Sequence, residues 1–282
     1  MKDMLNYSIV DEIINLGLKE DMPFGDCTTE SIVPKDLKGS ANLICKDNGT
    51  LCGISVFSRV FEILGNAKFE SDFKDGDTIK HGDIIGKVSG NVQSILMGER
   101  VALNILQRMS GIATNTKKYT DILNKYNSKL LDTRKTTPGL RYLEKYATTI
   151  GGAVNHRYCL SDGILIKDNH ISIMGGIMPA VLAAKANSPF VRKIEVEVES
   201  LEALNEALEA KADIIMLDNF LPKDIASMIK IIDKKAITEC SGNINLDTIE
   251  SYAKTGVDYI SCGSIIYDSK PLDFSLKNLL VI

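Results

Sequence analysis

The chain of 282 residues lacks several features that would assign it to a special class. None of its six cysteines forms a CxxC pair, which disfavours a structural zinc site. No apolar run is long enough for a transmembrane helix, and the first residues lack the apolar core of a signal peptide. We therefore expect a cytoplasmic protein without a membrane partner, whose cysteines are reduced and mostly buried.

The chain also lacks a basic surplus, because its net charge is −4, and this argues against a nucleic-acid partner. Charge is nevertheless distributed unevenly. No arginine follows Arg192, whereas residues 133–167 carry more basic than acidic side chains. The basic residues of this segment are Arg134, Lys135, Arg141, Lys145, Arg157 and Lys167. A site for anions is therefore expected in the centre of the chain.

Residues 132–141 are the most informative segment, because cations and threonine hydroxyls follow an apolar run at 129–131 and precede a predicted helix start at Pro138. Guanidinium groups bind carboxylates or phosphates bidentately, and the amides of a helix start add donors. The segment could instead be a solvated charged turn. Further cationic clusters at 155–157 and 167–170, each beside a predicted strand, favour a site for a small acidic substrate.

The first part of the chain reads as an α+β domain. Residues 8–18 have the apolar spacing of a helix capped by Ser8, and residues 39–93 read as short strands with a helix at 56–64. The turns at 74–83 are also typical of biotinyl and lipoyl carrier domains. Those domains display their lysine at a hairpin tip, and no Met-Lys-Met tip lies nearby, so the carrier alternative is disfavoured.

Residues 93–126 have a helical pattern that we divide into two helices at Ser110 and Gly111. Strands and helices then alternate. Strands are predicted at 129–133, 163–167, 193–198, 213–217, 236–240 and 257–262, and helices near 138–149, 178–187, 200–210, 222–232 and 245–255. This repetition predicts parallel strands with right-handed crossovers, in either a doubly wound sheet or a βα-barrel.

Polar residues or glycines follow each predicted strand of this second part. The clusters lie at residues 134–135, 167, 195–197, 218–219, 239–242 and 262–264. Ligands of parallel α/β folds bind at the carboxyl ends of the strands. A doubly wound sheet concentrates its chemistry at one crevice, whereas a barrel gathers every strand end around one mouth. Six such ends therefore favour the barrel.

Three carboxylates, those of Glu197, Asp218 and Glu239, end predicted buried strands. A carboxylate in that position needs a compensating partner. Mg²⁺ held by one or two carboxylates and by substrate phosphates supplies it economically. We expect Glu197 and Asp218 to act on the metal side and Glu239 to support them.

Two small-residue turns, Ser241-Gly242 and Gly263-Ser264, follow the last two predicted strands. Short or absent side chains let backbone amides approach a phosphate, as in many βα-barrels. Cations for an acid, carboxylates for Mg²⁺ and glycine turns for a phosphate together indicate a phosphoribosyl transfer.

Five segments of the chain resemble the quinolinate phosphoribosyltransferase family. They are residues 132–141, 151–157, 165–170, 195–198 and 217–220. The resemblance runs from Glu20 to Tyr259 and implies two domains. The first is an N-terminal α+β sandwich domain at 1–110 with a helical connection. The second is an incomplete, six-stranded α/β barrel at 111–282, whose last residues could return to the first domain.

The resemblance also implies an activity, a cofactor and site residues. The implied reaction is the Mg²⁺-dependent transfer of phosphoribosyl from phosphoribosyl pyrophosphate to quinolinate with decarboxylation, giving nicotinate mononucleotide for NAD synthesis. Quinolinate would be held by Arg134, His156, Arg157 and Lys167, with Arg100 reaching in from the neighbouring subunit of a homodimer or hexamer. Phosphoribosyl pyrophosphate would be held by Lys135, Glu197, Asp218, Ser241, Gly242, Gly263 and Ser264. The catalytic residues would be Lys135, Glu197 and Asp218, of which the two acids would bind the metal.

The chain departs from the family pattern near the implied phosphate site. Residues 240–243 replace a common Ser-Ser-Gly-Gly run, and residues 265–268 replace Leu-Thr-His-Ser. Tyr267 cannot become cationic and Asp268 would repel a phosphate, so we leave both out of the site. One alternative is a non-catalytic nucleotide-binding or carrier protein, which predicts no turnover. The other is a molybdenum-associated relative with another role. It predicts the loss of part of the cation set, all of which is present here.

Overall fold

The computed structural model describes residues 5–282. Its helices are α1 (Tyr7–Asp21), α2 (Cys27–Ile32), α3 (Ile54–Leu64), α4 (Val92–Leu123), α5 (Arg141–Ile150), α6 (Asp168–Met174), α7 (Ile177–Asn187), α8 (Leu201–Glu209), α9 (Pro222–Ile232), α10 (Ile249–Ala253) and α11 (Ser264–Tyr267). Its strands are β1 (Lys38–Cys45), β2 (Gly49–Thr50), β3 (Ala67–Glu70), β4 (Thr78–Ile79), β5 (Ile84–Asn91), β6 (Lys129–Leu131), β7 (Ile164–Ile166), β8 (Ile194–Val198), β9 (Ile214–Asp218), β10 (Ile237–Ser241), β11 (Tyr259–Ser261) and β12 (Phe274–Val281). Within residues 5–282, no helix combines the length and the apolar character needed to cross a membrane.

The first compact unit comprises residues 5–117, 136–151 and 268–282. It contains an antiparallel sheet of order β12-β1-β5-β3, so the last strand of the chain pairs with the first. Helix α3 contributes buried Phe57 and Phe61, and the Phe57 ring also meets Phe69 of β3 edge to face, with 4.9 Å between the ring centroids. Apolar residues at helical spacing on α3 therefore build the core against this sheet.

The second compact unit comprises residues 118–135 and 152–267 and contains six parallel strands in the order β6-β11-β10-β9-β8-β7. Strands β6 and β7 form the two edges and are not paired with each other in the described chain. Buried Val196, Ile215 and Leu217 explain why β8 and β9 lie inside this unit. The predicted incomplete α/β barrel of six strands is confirmed, and it aligns the carboxyl ends of its strands.

Two predictions about helices are wrong. Helix α1 is capped by Asn6, whose side chain accepts a hydrogen bond from Ser8 N at 3.1 Å, so Ser8 lies inside the helix. Helix α4 runs without a break through Ser110 and Gly111. Gly111 is needed for packing rather than for a turn, because a Cβ atom there would strike the backbone of Lys270. Glycine in a helix can thus indicate close approach of another segment.

Candidate active site

A cavity of about 540 Å³ opens at the carboxyl ends of the parallel strands in the second unit. Its lining includes most of the residues that the sequence indicated. These are Arg134, Lys135, His156, Arg157, Lys167, Glu197, Asp218, Glu239, Ser241, Gly242 and Gly263. Cations enter from the segments after β6 and β7, and carboxylates enter from β8, β9 and β10. The cavity therefore combines positive groups for an acidic substrate with oxygen ligands for a cation.

The position of the Lys135 side chain requires a glycine at residue 263. The amide of Lys135 donates to Thr133 Oγ1 at 3.1 Å, which fixes the turn after β6. A Cβ atom on Gly263 would lie 3.0 Å from Lys135 Cδ and 2.8 Å from the Tyr267 ring. Gly263 thus leaves room for the lysine stem to cross the turn after β11. Lys135 is exposed and lines the cavity beside this turn.

The segment that carries Arg157 is anchored by a buried acid at the end of β6. Asp132 is fully buried, and its carboxylate accepts from His156 N at 2.8 Å and from Asn155 Nδ2 at 2.6 Å. Arg157 Nη1 donates to the Gly163 carbonyl at 3.1 Å. Burial lowers the pKa of Arg157, and the nearby Arg134 lowers it further. A guanidinium still remains charged at any physiological pH, so a positive pair faces the cavity.

His156 has protein groups at both ring nitrogens. Its Nδ1 accepts from Arg157 N at 2.7 Å, and its Nε2 lies 3.1 Å from Glu195 Oε2. Glu195 was not among the expected site residues, although it lies two residues before Glu197 and on the same face of β8. In this arrangement His156 orients the backbone of Arg157, and direct contact of its ring with quinolinate stays a prediction.

Three carboxylates cluster at the carboxyl ends of β8 and β9. Ligand oxygens of Glu197, Glu199 and Asp218 all lie within 4.8 Å of one another, and Lys167 Nζ forms an ion pair with Glu197. Glu199 was missed by the sequence reasoning. The signal was present, because glutamates at 195, 197 and 199 recur with the period of two that places side chains on one face of a strand.

The turn after β10 is held against the turn after β9. Asn219 adopts the left-handed conformation with φ 59°, and its amide donates to the Ser241 carbonyl at 3.0 Å. Its side-chain Nδ2 donates to Asp218 Oδ2 at 2.6 Å. Gly242 has φ 99°, and a Cβ atom there would lie 2.8 Å from the Asn219 backbone nitrogen. Asn219, which the sequence placed in a polar cluster after β9 without a role of its own, therefore braces both Asp218 and the glycine turn.

Replacing Gly242 by alanine is expected to lower the free energy of unfolding by about 1–3 kcal/mol, the usual scale of a side chain forced into this backbone region. Binding of a phosphate-bearing ligand should weaken more than binding of a dicarboxylic acid. Urea unfolding and calorimetric titration check the two effects. Gly163→Ala is the matched control, since that glycine has no positive φ and no atom within 4 Å of a Cβ. Equal behaviour of both variants would contradict the role of the Gly242 turn.

Two residues expected at the site, Arg100 and Ser264, are not in the described lining of the cavity. Arg100 is exposed on α4 in the first unit and is not part of the described lining of the cavity. Ser264 is buried, and its Oγ lies 3.2 Å from Tyr119 Oη and 3.0 Å from Cys262 Sγ. Its backbone amide could still serve a phosphate. Tyr267, which we had left out, does line the cavity.

Comparison with known families gives two matches that together span most of the chain. Residues 26–110 match the family described as "Quinolinate phosphoribosyl transferase, N-terminal domain". Residues 112–277 match "Quinolinate phosphoribosyl transferase, C-terminal domain".

Individual relatives are similar over nearly their whole length. The chain is 40% identical to the probable nicotinate-nucleotide pyrophosphorylase [carboxylating] of Bacillus subtilis over 96% of this chain and 94% of the relative. It is 45% identical to the protein of the same description from Methanocaldococcus jannaschii, covering 94% and 95%. The crystal structure of NadC from Streptococcus pyogenes superimposes over all of both chains, with a TM-score of 0.95 and 43% identity.

Proposed function

The chain belongs to the quinolinate phosphoribosyltransferase family, and on that premise we propose that it joins quinolinate to phosphoribosyl pyrophosphate. The products would be nicotinate mononucleotide for NAD synthesis, pyrophosphate and CO₂. The observation that carries the proposal is that four cationic side chains and a cluster of carboxylates meet in one cavity. Few small-molecule reactions require both a dicarboxylate subsite and a phosphate subsite with a metal.

Quinolinate carries two adjacent carboxylates, and the cationic side chains of the cavity would supply the positive charge that both require. Arg134 and Arg157 offer bidentate donors, and Lys167 adds a point charge beside them. The half-buried state of the two arginines strengthens these contacts, because ion pairs gain strength where water is excluded. Arg100 of the partner subunit would complete this subsite.

Phosphoribosyl pyrophosphate would bind across the turns that follow β10 and β11. Backbone amides near Gly242 and Gly263 can approach phosphate oxygens closely, and Lys135 reaches the same side. Ser241 adds a hydroxyl, and Ser264 would contribute its backbone. Loss of pyrophosphate leaves positive charge on the ribose, which the carboxylates of Glu197 and Asp218 are placed to stabilise.

The residues present fit Mg²⁺. Glu197, Glu199 and Asp218 supply only oxygen ligands, which hard cations prefer. Glu197 and Asp218 line the cavity and are only partly buried, so substrate phosphates and water can complete the coordination. When bound, the ion would neutralise charge on the pyrophosphate leaving group. The chain's own contribution is to orient these carboxylates, with Asn219 holding Asp218 and Lys167 holding Glu197.

The test is a direct assay with quinolinate, phosphoribosyl pyrophosphate and Mg²⁺, followed by detection of nicotinate mononucleotide. Product formation that requires all three components is expected. Binding of both substrates without turnover would instead indicate a non-catalytic relative, and turnover with a different acid would change the substrate assignment.

Shared sites in a homodimer predict complementation between two inactive variants. An Arg100→Ala chain mixed with a Lys135→Ala chain would form hybrid dimers with one doubly damaged site and one intact site. Random mixing of equal amounts makes about half of the dimers hybrid, so activity should rise towards about a quarter of the parental value. No recovery despite demonstrated subunit exchange would place Arg100 outside the neighbour's site.

A further inference from the structure

Two carboxyl groups are buried inside the second unit, those of Glu195 on β8 and Glu239 on β10, with exposures of 4% and 2%. Their Oε2 atoms lie 3.1 Å and 3.6 Å from His156 Nε2. The Oε1 atom of each has no hydrogen-bond partner among residues 5–282. Two acids therefore share one histidine in a place where water is scarce.

One imidazole does not neutralise both acids. His156 Nδ1 accepts the amide hydrogen of Arg157, which leaves Nε2 as the ring nitrogen that faces the two acids, and one imidazole carries at most one positive charge. Carboxylate oxygens of Glu195 and Glu239 lie within 4.8 Å of each other, and two acids this close in the interior are not both ionised at neutral pH. Burial, and secondly the charge of Glu195, raise the pKa of Glu239 to about 8. Glu239 therefore holds a proton at neutral pH.

Other groups that face Glu239 do not remove this proton. His156 and a hydrogen bond from Ser261 of β11 lower the pKa of Glu239, but burial outweighs them. Strand β9, which pairs with β10 here, places Met216 beside Glu239 and contributes no charge. The cations Arg157 and Lys167 line the same cavity, and Lys167 is paired with Glu197.

Glu239 also lies where two cavities meet. A second cavity of about 580 Å³ is lined by the first residues of three strands, Ile214, Ile237 and Tyr259. Both cavities share His156, Arg157 and Glu239 in their lining. The acid thus borders the candidate active site while a separate space can return a proton to it from water.

The proposed reaction needs such an acid. Decarboxylation replaces a ring carboxylate of quinolinate by hydrogen, so a proton must reach the ring carbon. Guanidinium groups do not release protons at physiological pH, the Lys167 ammonium is engaged by Glu197, and the Lys135 ammonium is assigned to phosphoribosyl pyrophosphate. Resting on the proposed function, we propose that Glu239 is the general acid that protonates this carbon, a catalytic role that extends the site to the interior of the barrel.

The step balances as follows. The bond between ring carbon C2 and its carboxylate breaks, CO₂ forms, and the electron pair of that bond stays on C2 beside the positively charged ring nitrogen. This bond can re-form until C2 is protonated, so the net release of CO₂ depends on the acid. The O–H bond of Glu239 breaks, the C2–H bond forms, and Glu239 becomes a carboxylate. The Nε2–H group of His156, 3.6 Å from Glu239 Oε2, is placed to stabilise the new charge until water restores the proton.

Glu239→Gln tests the proposal, because it keeps the side-chain size and removes the acid. A single turnover with enzyme in excess would follow pyrophosphate and, from quinolinate labelled in its 2-carboxylate, CO₂. We expect pyrophosphate release within about threefold of the parent and CO₂ release slowed at least about 100-fold, the scale of general acid catalysis. The carboxylated nucleotide should accumulate. Glu209→Gln, an exposed change on α8, is the matched control.

The outcomes of this experiment distinguish a failure of the role of Glu239 from a failure of the proposed function. CO₂ release that keeps pace with the parent in Glu239→Gln would overturn the proposal. A parallel loss of pyrophosphate and CO₂, with weakened quinolinate binding, would overturn it too, because Glu239 would then only shape the pocket. A parent that releases no pyrophosphate from the two substrates would overturn the proposed function itself.

A second measurement does not depend on the folding of a variant. The protonated form of Glu239 is the active one and its pKa is raised, so the CO₂ step should be fastest below about pH 8 and fall about tenfold per unit above it. Pyrophosphate release should not follow this profile. A CO₂ step that stays flat between about pH 7 and about pH 9.5 would overturn the proposal.

Discussion

Arg157→Ala is expected to weaken quinolinate binding by about 2–5 kcal/mol, or roughly 30-fold to several thousandfold, the scale of truncating one partner of a buried charge pair. Arg157 is half-buried, held by the Gly163 carbonyl and anchored through Asp132, so no other side chain can easily take its place. Calorimetric titration of quinolinate into the protein measures the loss.

A graded variant separates geometry from charge. Arg157→Lys keeps a positive charge but loses the planar fork, so it should still lose about 1.5–3 kcal/mol. Arg192→Ala, an exposed arginine of the same unit outside the first cavity, serves as the control and should bind as the parent does. Full recovery in the lysine variant would show that charge alone suffices at this position.

The barrel was predictable because local pattern and topology agree in this part of the chain. Short apolar runs such as 214–217 are bounded by polar ends and alternate with helical segments, and parallel strands align those ends at one mouth. The cavity could therefore be anticipated from Arg134, Lys167 and Asp218, which are far apart in sequence. Knowing which strand ends meet requires only the rule of strand direction.

The misplaced features depend on contacts that sequence spacing does not encode. Gly111 looked like a helix end, yet the backbone of Lys270, far along the chain, needs its missing side chain. Ser8 looked like a cap, although Asn6 two residues earlier forms the hydrogen bond. A glycine can end a helix or admit a neighbouring backbone, and a serine can cap a helix or lie inside its first turn. The local sequence is similar in both cases, and only the fold decides between them.

Parts of the site were missed for a related reason. Asn219 acts through its left-handed backbone and its contact with the Ser241 carbonyl, neither of which is visible in the residue type. Glu195 depends on its distance to His156, which a loop places opposite β8. The recurrence of glutamates at 195, 197 and 199 marked both Glu195 and Glu199 in the sequence, but not the groups that they contact. Positions that support a ligand side chain are set by tertiary packing and are harder to predict than the ligand itself.

Asp218→Asn is expected to lower kcat/KM for phosphoribosyl pyrophosphate by about 100- to 1,000-fold, comparable to the loss of one preorganised electrostatic contact. The substitution preserves shape but removes a charged oxygen from the cluster with Glu197 and Glu199, and it disturbs the hydrogen bond from Asn219. The Mg²⁺ concentration needed for half-maximal activity should rise, whereas quinolinate affinity should change little because the cations that bind quinolinate remain.

Asp247→Asn, an exposed change in the same unit, should behave as the parent. An unchanged magnesium titration in Asp218→Asn would remove this residue from the metal side. A parallel loss of quinolinate binding would mean that the two subsites are not independent.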